Sequence, residues 1–259
     1  MQRIGVLLFV LLTAFLISCS KEEFFVFDSG LSSQYIIAHK GNSEMTGCPG
    51  NSRASLLNAL ELDIYGTEFD VRQTKDHVLV ICHDKEFDGI NIAEANYSEF
   101  DNHYLENGEN LPTLEEYIEI YKNSQSKVKL IIELKSCSVT DVVELVEQYD
   151  LQDFVEFISF ELDYCDSLVS MGYGAKVLFL DGTLTPAEVK ERGYAGIDYG
   201  IGDFTTHPEW IHEAKSLGLK VCVWTVDNPL TIKEFVEKEV IVTTNKAWRC
   251  ARMKTNILL

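Results

Sequence analysis

Apolar residues along this chain recur in two alternating rhythms. Short runs with a period of two predict nine strands: Tyr35–Ala38, Glu68–Val71, Val78–Cys82, Lys129–Lys135, Val155–Phe160, Lys176–Leu180, Gly196–Tyr199, Lys220–Val226 and Val240–Thr243. Helical patterns fall between most of them. Leu56, Leu57, Leu60 and Ile64 recur at helical spacing behind a Ser52 or Asn51 cap. Thr113 has Glu116 three residues on, a capping box opening the next helix. Thr140–Tyr149 and Leu162–Met171 are amphipathic, and Thr185-Pro186 places proline at a first helical position. His207–Leu217 stops at Gly218, and Leu230–Glu237 is the last helix. Segments 42–51 and 88–112 are polar and carry glycines, so they read as loops, the second with a turn of helix near Tyr97.

Strand–helix alternation implies parallel strands joined by crossovers of a dozen or more residues. Residues 74–78 are too few for one, so the Val78–Cys82 run must pair antiparallel, as a hairpin after the Glu68 strand. Eight β/α strands remain, which predicts a TIM (β/α)8 barrel with one extra antiparallel strand after the second barrel strand. An open doubly wound sheet is the competing architecture, but no glycine-rich nucleotide fingerprint supports it.

The chain has 259 residues, 46% of them hydrophobic, enough for one large α/β domain. A net charge of −19 excludes nucleic acid and electrostatic docking on anionic lipid. Arg3, the apolar run Ile4–Ile17 and then Ser18-Cys19 resemble a bacterial lipoprotein signal, in which Cys19 would be lipidated. The expected division is a signal peptide over 1–18, a tether over 19–33 and one domain over 34–255. Export to the periplasm or cell surface follows, with membrane attachment by the lipid anchor alone and a monomeric domain expected. The remaining cysteines show no zinc spacing, and their pairing is not readable from the sequence.

In such a barrel the strand C-termini form the active-site mouth. Here the apolar runs finish in His39-Lys40, Glu68/Asp70, His83, Glu133/Lys135 and Trp224. Each taken alone has a bland explanation: a strand-edge acid pair is solvated, and a strand-end histidine is hydrogen-bonded structure. Together they converge. Three inward carboxylates, Glu68, Asp70 and Glu133, call for one divalent cation, and oxygen donors favour Ca²⁺ or Mg²⁺ over zinc. Lys40 and Lys135 suit an anion such as a phosphoryl group, and His39 and His83 suit proton exchange beside it.

These residues, in this order, resemble the glycerophosphodiester phosphodiesterase family. Its HRG, E-x-D-V, HD, E-[IL]-K and WTV motifs correspond to His39-Lys40-Gly41, Glu68-Phe69-Asp70-Val71, His83-Asp84, Glu133-Leu134-Lys135 and Trp224-Thr225-Val226. The resemblance implies metal-dependent hydrolysis of glycerophosphodiesters to an alcohol and glycerol 3-phosphate. His39 and His83 would be the acid–base pair, and Glu68, Asp70 and Glu133 the metal ligands. Lys40, Lys135 and Trp224 would contact the substrate, a small phosphodiester. The chain departs from the pattern at Lys40, at Pro49-Gly50-Asn51-Ser52 and at Thr243-Thr244-Asn245, where the family has arginine, PENT and a terminal TD. The rival functions are a lipid-directed phosphodiesterase, phospholipase D-like or phosphoinositide lipase-like, and a barrel that binds phosphodiesters or glycans without cleaving them. An apolar rim in 86–112 would favour a lipid substrate, whereas that segment is largely polar.

Overall fold

The computed structural model describes residues 33–251. The proposed leader, Cys19 and all of the tether but Ser33 lie outside them, as do residues 252–255 of the expected domain. The first half runs β1 (Ile36–Ala38), α1 (Arg53–Leu60), β2 (Gly66–Gln73), β3 (Leu79–Ile81), β4 (Glu86–Phe87), β5 (Ile90–Asn91), α2 (Leu114–Ser124), β6 (Lys129–Ser136) and α3 (Val139–Gln148). The second half runs β7 (Val155–Ser159), α4 (Leu162–Ser170), β8 (Val177–Phe179), α5 (Pro186–Glu191), β9 (Gly196–Gly200), α6 (Ile201–Thr206), α7 (Trp210–Ser216), β10 (Lys220–Trp224), α8 (Pro229–Glu237), β11 (Ile241–Thr244) and α9 (Ala247–Cys250).

The strand order is β1-β11-β10-β9-β8-β7-β6-β2-β3, and β1 also pairs with β2. Eight parallel strands therefore close on themselves, and β3 adds antiparallel to β2 outside the ring. This is the (β/α)8 barrel with its extra hairpin strand. Closure leaves no unpaired edge within the ring.

Helix starts follow the side chains that can cap them. Ser52, Thr113, Ser138, Thr185 and Asn228 each accept a backbone N–H of the first turn. The helix faces then bury against the outside of the barrel with Phe69, Val71, Ile132, Leu134, Phe157 and Val223. One expectation fails: Leu57 is half exposed, because Leu56, Ala59 and Leu60 form the buried face of α1.

Inside the ring a second apolar cluster, Ile37, Ile131, Ile158, Leu178, Cys222 and Ile241, fills the middle. Beneath it Glu156 receives Lys220 Nζ and the Tyr65 hydroxyl at 2.6 Å each, with Lys129 Nζ at 3.2 Å. Burial alone would raise the Glu156 pKa, but the two lysines and the tyrosine hold it below the ordinary carboxylate value. Burial, and then the same carboxylate, push the Tyr65 phenol up. Gly196 is required at this level: a Cβ there would lie 2.3 Å from the Lys220 carbonyl oxygen.

Residues 86–112 are not a structureless loop. They hold the β4–β5 hairpin and short 3₁₀ turns, one at Tyr97–Phe100 as expected. Their apolar side chains turn inward: Phe87, Ile92, Ala95, Phe100 and Leu111 pack with Val80 of β3 into a small core of their own. The six described cysteines are all unpaired thiols.

Candidate active site

Alternation along β2 points Glu68 and Asp70 into the barrel while Phe69 and Val71 pack outward. The register of β2 on β6 sets Asp70 beside Glu133. Glu68, Asp70 and Glu133 are 3%, 0% and 8% exposed, and one carboxylate oxygen from each lies within 4.8 Å of the others. Such a trio is self-repelling. Burial, with Asp70 and Glu133 alongside, raises the Glu68 pKa well above the ordinary value, and burial with Asp70 raises Glu133 to about 7.

Three groups offset part of this cost. Lys135 Nζ reaches Glu133 Oε1 at 2.6 Å and Asp70 Oδ1 at 3.4 Å. Burial would lower the lysine's pKa, but Glu133 and then Asp70 outweigh it, so Lys135 stays charged. Asn51 donates its side-chain amide to Asp70 Oδ2 at 2.7 Å. The Lys40 backbone N–H donates to Glu68 Oε2 at 2.8 Å, from a left-handed turn with φ of +52°. Glu68 Oε1 remains buried without a hydrogen-bond partner. An orphaned carboxylate oxygen beside two others, with no sulfur or nitrogen donor among them, fits a hard divalent cation.

His39 follows β1 directly. Its Nδ1 lies 2.8 Å from Asn245 Oδ1. The amide orientation is fixed, because Asn245 Nδ2 donates to Asp227 Oδ2 at 2.7 Å, an atom that can only accept. Asp227 Oδ1 also accepts from the Asn245 backbone N–H and from Thr244 Oγ1. His39 therefore donates through Nδ1, and its Nε2 is left to exchange a proton, 3.9 Å from Glu68 Oε2. Burial lowers the His39 pKa, opposed by the bond to Asn245. His83 stands at the end of the hairpin strand, half exposed, with Nδ1 2.8 Å from Asp84 Oδ1. Arg72 Nε and Nη2 both donate to the His83 carbonyl and fix the backbone there.

His39, Glu68, His83, Glu133, Lys135 and Trp224 line one cavity of about 280 Å³ at the C-terminal ends of the strands. Asp70 lies behind its wall, within reach of the other two acids. The Lys40 side chain does not line the cavity; its backbone does the contacting. Trp224 Nε1 donates to the Asp198 carbonyl at 2.8 Å, and the Trp224 ring meets Phe160 edge-on at 5.6 Å. Lys135 Nζ stands 5.6 Å from the centre of the Phe160 ring. Among residues to which sequence reasoning gave no part in the site, Asn51 and Asn245 matter most. The departures from the PENT and TD motifs marked both positions, but their contacts depend on how the barrel closes. Asp227, Asp198 and Phe160 carried no such signal.

The model of the glycerophosphoryl diester phosphodiesterase family matches residues 39–246. A glycerophosphodiester phosphodiesterase of Caldanaerobacter subterraneus is 27% identical over 227 residues, covering 79% of this chain and 90% of that protein. The crystal structure of a glycerophosphodiester phosphodiesterase from Parabacteroides distasonis superposes with a TM-score of 0.78 at 36% identity, covering 82% of this chain and 93% of that one. The fold also matches an Oleispira antarctica phosphodiesterase, solved with the product sn-glycerol-3-phosphate, at a TM-score of 0.71 and 22% identity, over 81% and 92% of the two chains. Joined to a closed barrel whose mouth gathers three acids and two imidazoles, the match along most of the sequence makes this chain a member of the glycerophosphoryl diester phosphodiesterase family, a phosphoric diester hydrolase.

Proposed function

We propose that this chain hydrolyses glycerophosphodiesters to an alcohol and glycerol 3-phosphate, with His39 and His83 moving the protons. The observation that carries this reading is that both imidazoles, Glu68 and Glu133 open on one cavity, with Asp70 within reach of both acids. Glu68, Asp70 and Glu133 would hold one Ca²⁺ or Mg²⁺, which when bound neutralises phosphoryl charge and polarises phosphorus as a Lewis acid.

Burial favours the neutral form of His39 and the Asn245 bond to Nδ1 orients the ring, so its Nε2 takes the proton of the attacking oxygen. That oxygen, from water or from the neighbouring glycerol hydroxyl, bonds to phosphorus as the ester P–O bond breaks; the hydroxyl route leaves a cyclic phosphate, which water then opens to glycerol 3-phosphate. His83 hands a proton to the departing alkoxide. Lys135 binds a phosphoryl oxygen, Lys40 adds positive charge at the rim near His39 and Asp84, and Trp224 walls the organic part. We extend the reading to location: a chain lipidated at Cys19 would act at a bacterial membrane surface on small diesters brought to it.

The test is release of glycerol 3-phosphate from glycerophosphocholine in Ca²⁺ or Mg²⁺. His39→Ala and His83→Ala should each lose at least about 10²-fold in kcat, the low end for general acid–base catalysis. Wild-type turnover in either variant would remove that histidine from the mechanism, and full activity in EDTA would remove the metal.

A further inference from the structure

Asp198 lies on β9 in register with Cys222, one inward-facing step below the level of Trp224. It is 1% exposed, and its Oδ1 is buried with no hydrogen-bond partner. A lone carboxyl in an apolar layer is costly and persists where something completes it. Among the described residues no side chain bonds that oxygen, and Lys220 below is already bonded to Glu156 and Tyr65. Asp198 nevertheless lines the same cavity as His39 and Glu133. Gly200, the next inward-facing position on β9, puts no side chain above it. A Cβ there would lie 3.3 Å from Asp203 Oδ2 and 3.9 Å from the Trp224 ring. Ile158, Leu180 and Trp224 wall the descent with apolar surface.

Resting on the hydrolase reading above, we infer that Asp198 is a specificity-determining residue that hydrogen-bonds a free hydroxyl of the glycerol moiety, with the carbon skeleton against the apolar wall. The choice of a hydroxyl over a cationic headgroup has support from the carboxyl's chemistry. Burial, with Glu133 and Glu156 nearby, lifts its pKa to about 8, which favours the neutral carboxyl, able both to give and to accept a hydrogen bond. A neutral carboxyl suits an alcohol and gains little from a quaternary ammonium. A site that bonds a substrate hydroxyl discriminates strongly against the analogue lacking it.

The test compares kcat/KM at pH 7, with Ca²⁺ or Mg²⁺, for glycerophosphoethanol, its propyl analogue that keeps the hydroxyl next to the phosphoester and lacks only the terminal one, and glycerophosphocholine. Wild type should prefer the glycerol ester over the propyl ester by at least about tenfold. Asp198→Leu, close in volume and apolar, should collapse that ratio to within about threefold, whereas Asp198→Asn, which still bonds a hydroxyl, should keep most of it. Equal losses on glycerol and propyl esters would mark Asp198 as purely structural and overturn the inference. So would an unchanged ratio in Asp198→Leu, or a loss confined to glycerophosphocholine and shared by Asp198→Asn, which would assign the carboxylate to a cation. If Asp198→Leu does not fold, Asp198→Ala is read by the same ratio, and an unchanged ratio there overturns the inference. Wild-type protein that cleaves none of the three diesters would instead refute the hydrolase reading itself.

Discussion

The imidazole of His39 and the side-chain amide of Asn245 are joined at 2.8 Å across the seam where the barrel closes, 206 residues apart in the chain. Asn245 is in turn clamped by Asp227 at both its backbone and its side chain. The amide orients the ring without charging it. Asn245→Ala should lower kcat by about 10- to 100-fold with little change in KM, the pattern of a lost positioning contact. The bond to Asn245 raises the His39 pKa against burial, so its removal lowers that pKa further. The limb of the pH–rate profile that belongs to His39 should therefore move to lower pH. A kcat loss with an unmoved profile would count against the orienting role.

The acid cluster makes stability depend on pH and metal together. Glu133 carries a folded pKa near 7, above its unfolded value. Between those two values the native state holds more protons than the unfolded chain, so metal-free stability is full at low pH and falls as pH rises toward 7. Glu68 acts in the same direction. A cation bound to the carboxylates reverses the trend. At a hundredfold excess over Kd, Ca²⁺ or Mg²⁺ should raise Tm at pH 8 by roughly 5 °C or more, and by clearly less at pH 5. Thermal scans at both pH values, with and without EDTA, read this directly.

Lys135 bridges Glu133 and Asp70, and it is the described ammonium group in direct ionic contact with the trio. Lys135→Met keeps the length of the side chain and removes the charge. Metal-free protein should then melt lower at pH 8, and the Tm gain on adding metal should exceed that of wild type. Activity should fall by at least about tenfold in kcat/KM if the same ammonium also meets the phosphoryl group. Calorimetric metal titration separates the two effects.

At the opposite end of the barrel, Glu156 is 4% exposed and is the shared acceptor of Lys220, Lys129 and Tyr65. Glu156→Leu leaves two lysines without their counter-charge and should cost about 3–5 kcal/mol in denaturant unfolding. Adding Lys220→Met should recover part of that loss. Because the native Glu156 pKa is depressed, its contribution is present above the unfolded carboxylate value and is lost as pH falls through the native one.

Much of this was legible before any coordinates. The inward pair Glu68 and Asp70 follows from strand alternation, and the antiparallel β3 follows from a connection too short for a crossover. Both are local facts. Leu57 was misplaced because a helical row of leucines is compatible with two neighbouring faces, and packing selects between them. The inward turn of Phe87, Ile92 and Phe100 was hidden by the polar residues that separate them. Asn245, Asp227 and Asp198 acquire meaning only when distant strands meet. Asp198 in particular sits in a weak strand, where an acid between Ile197 and Tyr199 reads equally well as a solvent-facing residue.

The turn at Lys40 has a genetic corollary. Glu68 is gripped there by a main-chain amide, so nineteen of the twenty genetically encoded amino acids carry the donor for the same anchor, the β-branched ones at a cost because of the positive φ. Proline alone cannot: it has no proton on nitrogen, and its ring forbids a φ of +52°. Codons at this site can thus drift to retune charge above the mouth while the carboxylate beneath keeps its place.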